Sequence, residues 1–560
     1  MKQSKNRSAY THVLLLILFS LILCWMLLLP YTVARHDTYF HLTRLESLVE
    51  AIQNGHWLPR MYPHIYQDFG YAVSLFYSDF LLYIPAALML LGMSTLTSFK
   101  IFETLVVLAT TLSAYYCANR LLKNRDAAAI TAMLYTGSSY FAVDMFIRGA
   151  LGESQAFIFM PFCLLGMYNA VFGDAKDRMP LIIGFTGLVL SHNLSLMLTA
   201  LFFAIFLLLN IVRLFREPNR IWELVKSSVT VMLLTAFFLF PMVEQLLTES
   251  FFSTYHCKIW NPGKAAIRVR NLFVGANYTS DPVFTPSLGL TMLAAFLICL
   301  FLFFHKPKDD LHRFSSCMFL GACASLFACT SIFPWYPLDP YLNIIQFPSR
   351  MFLFVTLFLS FGVGVWWSRK VSLTGRKAAA VLALCAILCA AQFSFVTASG
   401  LQVALDADSI MTDTSYMPFW DENYLNGNNN RQLWRDRDLY VNTVRGVNGP
   451  VEYTMERDYD HRYITFSGNT TDNALEVAAV YFRGYRAVDT ATGEQLPVRP
   501  SKNGWLEVDI GTRPSGDLVI DYYGTTIQHI SPYITLAFVL GLLAWYLYRK
   551  QKPSATLPRP

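Results

Sequence analysis

Charge is scarce in this chain. Lys, Arg, Asp and Glu make up 15% of its 560 residues, whereas an average soluble domain carries about 25%. With 54% apolar residues, this deficit excludes a soluble globular, disordered or fibrous protein. Cysteine suited to cross-linking is also scarce. Nine of the ten Cys lie in apolar runs and only Cys257 lies in a polar loop, which excludes an extracellular domain built on disulfides. There is no internal repeat and no pair of broken helices in matching halves, as many secondary transporters have. The net charge of +6 is spread over short basic clusters, so no nucleic-acid partner is implied.

What the chain does have is apolar runs of about 20 residues, the length of a membrane-crossing helix. The fold class expected is an all-α polytopic membrane protein. Spans fall near 12–30, 98–118, 127–145, 155–172, 179–191, 194–212, 225–246, 287–305, 314–332, 349–368, 378–398 and 530–548. Basic clusters such as Arg120/Lys123/Arg125, Arg213/Arg216/Arg220 and Arg369/Lys370/Arg376/Lys377 mark cytoplasmic loops. With twelve spans, both termini are then cytoplasmic. The first run is followed by Pro30-Tyr31 rather than by small residues, so it reads as a retained span, not a cleaved signal. The run 72–92 would invert every later loop if it crossed. Its Ser74, Ser78, Asp79 and Pro85 suit a helix lying on the outer surface.

Three units follow: a transmembrane unit 1–398 with a first outer loop 31–97, an outer segment 399–529, and a last span with its tail, 530–560. The outer segment holds 19 acidic and 11 basic residues, a net of −8. Alternation in Arg462-Ile464-Phe466, Leu475-Val477-Ala479-Tyr481, Trp505-Glu507-Asp509 and Leu518-Ile520-Tyr522, punctuated by turns such as Asn503-Gly504, predicts a β-sandwich-like domain.

Several polar residues at the outer membrane level need an explanation. Read as a helix, 37, 41 and 44 share one face, so Asp37, His41 and Arg44 would converge. A carboxylate there can serve as general base or hold a divalent metal. The alternative is a helix cap by Asp37 with Arg44 reaching to the headgroups. Arg60, in Gly55-His56-Trp57-Leu58-Pro59-Arg60, suits a phosphate, because its fork donates two parallel bonds. Arg148 and Glu153 sit between apolar runs, where they either pair or serve a ligand. His192 and Asn193 stand at a chain reversal between apolar neighbours, where a buried, satisfied histidine is the alternative to a site. Arg350 opens a span after Gln346-Phe347-Pro348-Ser349.

Taken in order, Asp37-x-x-x-His41, Gly55-x-Trp57-x-Pro59-Arg60, Phe76-Tyr77, Arg148-Gly149-Ala150-x-x-Glu153, His192-Asn193 and Phe347-Pro348-x-Arg350 resemble the GT-C superfamily of polytopic glycosyltransferases. Within it, the motifs look most like those of the bacterial YfhO-like proteins and the membrane proteins called "6-pyruvoyl-tetrahydropterin synthase-related". The resemblance covers roughly 10–370, with an echo at Tyr481-Phe482-Arg483-Gly484-Tyr485. It implies a catalytic carboxylate just after the first span, at Asp37, with His41 and Glu153 beside it. It also implies a site for the donor phosphate and substrate drawn from Arg44, Arg60, Tyr77, Arg148, His192, Asn193 and Arg350. The implied donor is a polyprenyl-phosphate sugar. The implied acceptor is an envelope glycan, a teichoic-type polymer or a protein, at the outer face of a bacterial plasma membrane, with membrane lipid alongside. Asp37 lacks the second adjacent acid that some relatives use, which leaves a divalent metal open. Trp420-Asp421-Glu422-Asn423-Tyr424-Leu425 only approximates the family's stretch before the β-domain. Two other readings stand beside this one: a flippase or transporter of a lipid-linked sugar, and a non-catalytic assembly protein for envelope polysaccharide.

Overall fold

A computed structural model describes residues 2–30, 32–33, 35, 37–66, 68–251, 262–273, 286–305, 309–371, 373, 375–399, 404–405, 425 and 440–551. Cys257, and all but Leu425 of the aromatic lead-in 416–430, lie outside the described residues. The first helices are α1 (Lys2–Leu23), α2 (Thr38–Gln53), α3 (Tyr83–Leu90), α4 (Thr95–Leu122), α5 (Arg125–Thr136), α6 (Ser139–Val143), α7 (Leu151–Val171), α8 (Met179–Val189), α9 (Asn193–Leu209), α10 (Ile211–Arg216), α11 (Asn219–Leu234) and α12 (Ala236–Thr248). Further long helices are Gly289–Phe303, Asp310–Cys329, Phe352–Lys370, Gly375–Ser399 and Thr526–Gln551.

Among the described residues, six helices are long and apolar enough to cross a membrane, or seven if α11 and α12 count as one span bent by 83°. The twelve expected spans are not reproduced as twelve such helices. Local chemistry explains the difference. The run 12–30 leaves helix at Leu23 and passes through a 3-10 turn, Trp25–Leu28, with Leu29 extended before Pro30, the conformation a following proline favours. The run 127–145 breaks at Gly137, where Ser138 caps a new start by accepting from Phe141 N–H. The runs at 179–191 and 287–305 yield helices of 11 and 15 residues. The run 72–92, expected as one helix on the outer surface, is not one helix, and its Ala72, Val73, Leu75 and Phe76 are buried. It forms two 3-10 turns and then α3, whose eight residues reach about 12 Å, well short of a bilayer core of about 30 Å.

The β region consists of two antiparallel sheets. The strands are β1 (Thr32–Val33), β2 (Ala404–Leu405), β3 (Val444–Gly446), β4 (Glu452–Arg457), β5 (His461–Ser467), β6 (Asn473–Val480), β7 (Tyr485–Asp489), β8 (Gln495–Leu496), β9 (Val498–Pro500), β10 (Trp505–Gly511) and β11 (Gly516–Tyr522). One sheet runs β3-β6-β10-β9, the other β4-β5-β11-β7-β8, and β1 pairs separately with β2. In β5 alternate residues turn inward, as a half-buried strand requires, whereas β6 is buried along its whole length. Ile464, Phe466, Leu518 and Ile520 of one sheet and Val477, Leu506 and Val508 of the other are buried in one apolar core.

This region is seated on the segment between α1 and α4. Val480 N–H donates to Phe69 O at 2.9 Å, and Arg457 and Arg462 both donate to the Asp68 carbonyl. The α12 end meets it too, with Gln245 Nε2 donating to Arg483 O at 2.7 Å and Thr525 Oγ1 to Glu244 at 2.5 Å.

Candidate functional site

The turn after α6 sets up the site. The segment Asp144–Arg148 winds as a π-helical turn and stops at Gly149, whose φ is +66°, a conformation glycine adopts without steric cost. Its space is also bounded, since a Cβ there would lie 3.0 Å from Arg35 Cβ and from Thr38 Oγ1. The reversal throws Arg148 and Glu153 together. Arg148 Nη1 donates to Asp144 Oδ1 at 2.8 Å and to Glu153 Oε2 at 3.1 Å. From the far side, Arg350 Nε reaches the same Glu153 oxygen at 3.4 Å. Tyr140 donates to the other Glu153 oxygen at 2.5 Å, and Ser154 donates to Asp144. Glu153 is thus buried and shared by two guanidiniums, and both of these face the Phe347 ring, at 5.9 and 5.2 Å. Gln346, the neighbour that binds Arg350 Nη1, has φ +60°. Strain of that kind is held only where the surroundings fix it.

Asp37 reaches this cluster from the start of α2. It stands at the N-cap position of α2, yet its side chain makes no capping bond. Its N–H donates to Arg148 O at 3.0 Å, and its charge acts on the Arg148 guanidinium. Burial works against the charge on Arg148, but Glu153, Asp144, Tyr140 and Asp37 together hold its proton above the ordinary arginine range.

Tyr77 closes a third side. A Cβ on Gly152 would fall 1.9 Å from the Tyr77 hydroxyl, so the ring lies on the first turn of α7. Its segment is held from both flanks. Asn193 Nδ2 donates to Phe76 O at 2.6 Å, and Arg44 donates to the carbonyls of Tyr77 and Ser78. The His41 and His192 rings stand 5.8 and 6.4 Å from the Tyr77 ring. Burial lowers both histidines, His41 well below its usual value and His192 to about 4, so both are neutral at physiological pH. Ser195 N–H donates to His192 Nδ1, which leaves the ring proton on Nε2.

The structure therefore gathers Asp37, Tyr77, Arg148, Glu153, His192 and Arg350, with His41 and Asn193 packed behind them. Two expected members are not brought in. Arg44 does not face the cluster with an available guanidinium: it is buried and bound by Asp79, which also accepts from Tyr62 at 2.7 Å. Of the expected convergence, Arg44 does meet His41, with Nη1 3.4 Å from His41 Nδ1, while the Asp37 N–H turns to Arg148 O. The burial of Arg44 does not fit a reach toward headgroups. Arg60 donates instead to Phe237 O at 2.7 Å, at the break between α11 and α12. Sequence reasoning missed Tyr140 and the buried Arg35–Glu103 pair, 2.5 Å apart. Glu103, an acid inside an apolar run, was the available signal. Among the described residues, no group of three or more His, Cys, Asp or Glu is placed to hold a metal ion, and Asp144 and Glu153 are already engaged by arginine.

No family model matches the chain. An uncharacterized protein of Lactococcus lactis subsp. cremoris is 27% identical over 222 residues. That match takes in 38% of this chain and 36% of the relative, so the chain covers about a third of that protein's length. Two cryo-EM structures of the arabinofuranosyltransferase AftD from Mycobacteria, the second of a mutant, align with TM-scores of 0.44 and 0.41 at 13% and 12% identity. Each covers 69% of this chain, and 26% and 28% of AftD. A similarity at this level does not place the chain in a fold family.

Proposed function

We propose that this chain is a membrane glycosyltransferase of GT-C type, moving a sugar from a polyprenyl-phosphate donor to an acceptor hydroxyl at the outer face of a bacterial plasma membrane. The observation that carries this reading is the meeting of Asp37 with the Arg148–Glu153–Arg350 cluster. Asp37, through its N–H to Arg148 O and its charge on the Arg148 guanidinium, meets two guanidiniums from segments far apart in sequence.

In this reading, Asp37 takes the proton of the acceptor hydroxyl, on an envelope glycan, a teichoic-type polymer or a protein. The acceptor oxygen bonds to the anomeric carbon from the face opposite the phosphate. The bond from that carbon to the phosphate oxygen breaks, with inversion, and the polyprenyl phosphate leaves as an anion. Arg148 and Arg350 stabilise that growing charge, Glu153 holds the two arginines in register, and His192 offers a neutral N–H. His41 and Asn193 position Tyr77. Arg60 and Arg44 have no part in this step.

The test is sugar transfer in proteoliposomes, with a panel of labelled polyprenyl-phosphate sugars and added acceptor. A new sugar–acceptor linkage supports the reading. Movement of the intact donor between leaflets with no linkage formed is the result a flippase would give, and it would overturn the reading.

A further inference from the structure

Away from the Asp37 cluster, a cleft of about 300 Å³ opens where the first outer loop, the β region and the last helix meet. Its walls include Arg60, Tyr459, Asp460, Tyr522, Gln528 and Tyr533. Two features stand out. The first is a cation with no carboxylate bonded to it among the described residues. Arg60 is bonded to a carbonyl, Phe237 O. Burial lowers it to about 10, and the groups that oppose this are Tyr522, Tyr83 and Asp79. Of these only Asp79 is a carboxylate, and Arg44 and Tyr62 already share it. The acid in the cleft, Asp460, is held by His56 at 3.2 Å and His461 at 2.6 Å.

The second feature is the position of the cleft. Its floor runs down the first turns of the helix Thr526–Gln551, as far as Tyr533. Only 6% of that helix's apolar window is buried, and Leu536, Val539 and Leu540 below the cleft are exposed. Thr535 ties the helix to the α11–α12 break, accepting from Phe237 N–H and donating to Leu233 O, both at 3.1 Å. A polar pocket holding the Arg60 guanidinium thus adjoins an exposed apolar track on the last helix, and its tyrosines are of the residue type favoured where a protein meets a membrane surface.

We propose that this cleft binds the phosphate of an anionic membrane lipid, with Arg60 as the charged partner and the acyl chains lying along the last helix. Such a lipid joins the first outer loop, the β region and the last helix at one point. The site is separate from the Asp37 cluster and does not depend on the transferase reading.

The full chain in detergent is titrated with phosphatidylglycerol, with diacylglycerol, and with inorganic phosphate, and bound molecules are counted by native mass spectrometry. Phosphatidylglycerol is expected to be retained, while diacylglycerol and inorganic phosphate bind much more weakly. Arg60→Ala should weaken phosphatidylglycerol about tenfold, the loss of one charge-assisted partner. Arg60→Gln keeps an amide donor for Phe237 O and removes the charge, so it gives the same answer if Arg60→Ala unfolds. Unchanged affinity in Arg60→Gln, equal retention of diacylglycerol, or inorganic phosphate bound as tightly as the lipid would each overturn the proposal.

Discussion

Arg44 and Arg350 carry the same side chain and have different work. Arg44 is almost fully buried and tied to Asp79, to two carbonyls and over the Tyr77 ring at 4.1 Å. Removing one partner of a buried pair strands the other and costs about 3–5 kcal/mol. Asp79→Ala should therefore lower the thermal unfolding temperature in detergent sharply, and an unchanged temperature would show that Arg44 does not need it. The two histidines give a pH signature. His41 and His192 are neutral when folded, because burial lowers them, but take up protons near their ordinary value of about 6.5 when unfolded. The unfolded state then binds more protons below that value, so stability falls as pH drops from about 6.5 toward 4. His192→Gln should flatten that decline, measured as unfolding temperature against pH. Much of the cluster was legible as isolated polar residues in apolar surroundings, Arg148, Glu153 and His192 among them. What spacing did not reveal was partner choice. Arg44 shares a helix face with His41, yet Asp79, 35 residues on, claims its guanidinium.

At the scale of elements, turns do the positioning. The bend at Gly149 and the close approach at Gly152 bring the ends of α2 and α7 together. Gly152→Ala would drive a Cβ into the Tyr77 hydroxyl, whereas Gly541, with nothing within 4 Å, has room for one. Gly152→Ala should thus cut donor binding and transfer by about tenfold or more, and Gly541→Ala should leave both near wild type. Equal effects of the two would mean that the Tyr77 contact is not used. Strand alternation was readable at β5, because period-two burial is a local pattern, whereas β6 is buried along its whole length and β10 over its first four residues, so their strand character rests on more than alternation. The helix breaks were not readable, because hydropathy sums over a window and does not register a cap at Ser138 or a bend of 83° after Leu234.

For the whole molecule, the basic clusters and the β region must lie on opposite sides of the membrane if the site faces outward. Lys123 ends α4 and Lys502 lies in the β9–β10 turn, both exposed. Single cysteines there, probed with an impermeant reagent in intact cells, should label at 502 and not at 123. The reverse pattern would put the Asp37 cluster on the cytoplasmic side. The most direct test of the central claim is Asp37→Asn, which keeps the size and hydrogen-bonding capacity of the side chain and removes the base. Transfer of labelled sugar from a polyprenyl phosphate in proteoliposomes should fall by about 10²-fold or more, the usual share of a positioned general base, while donor binding measured alongside stays near wild type. Full transfer by Asp37→Asn would contradict the account.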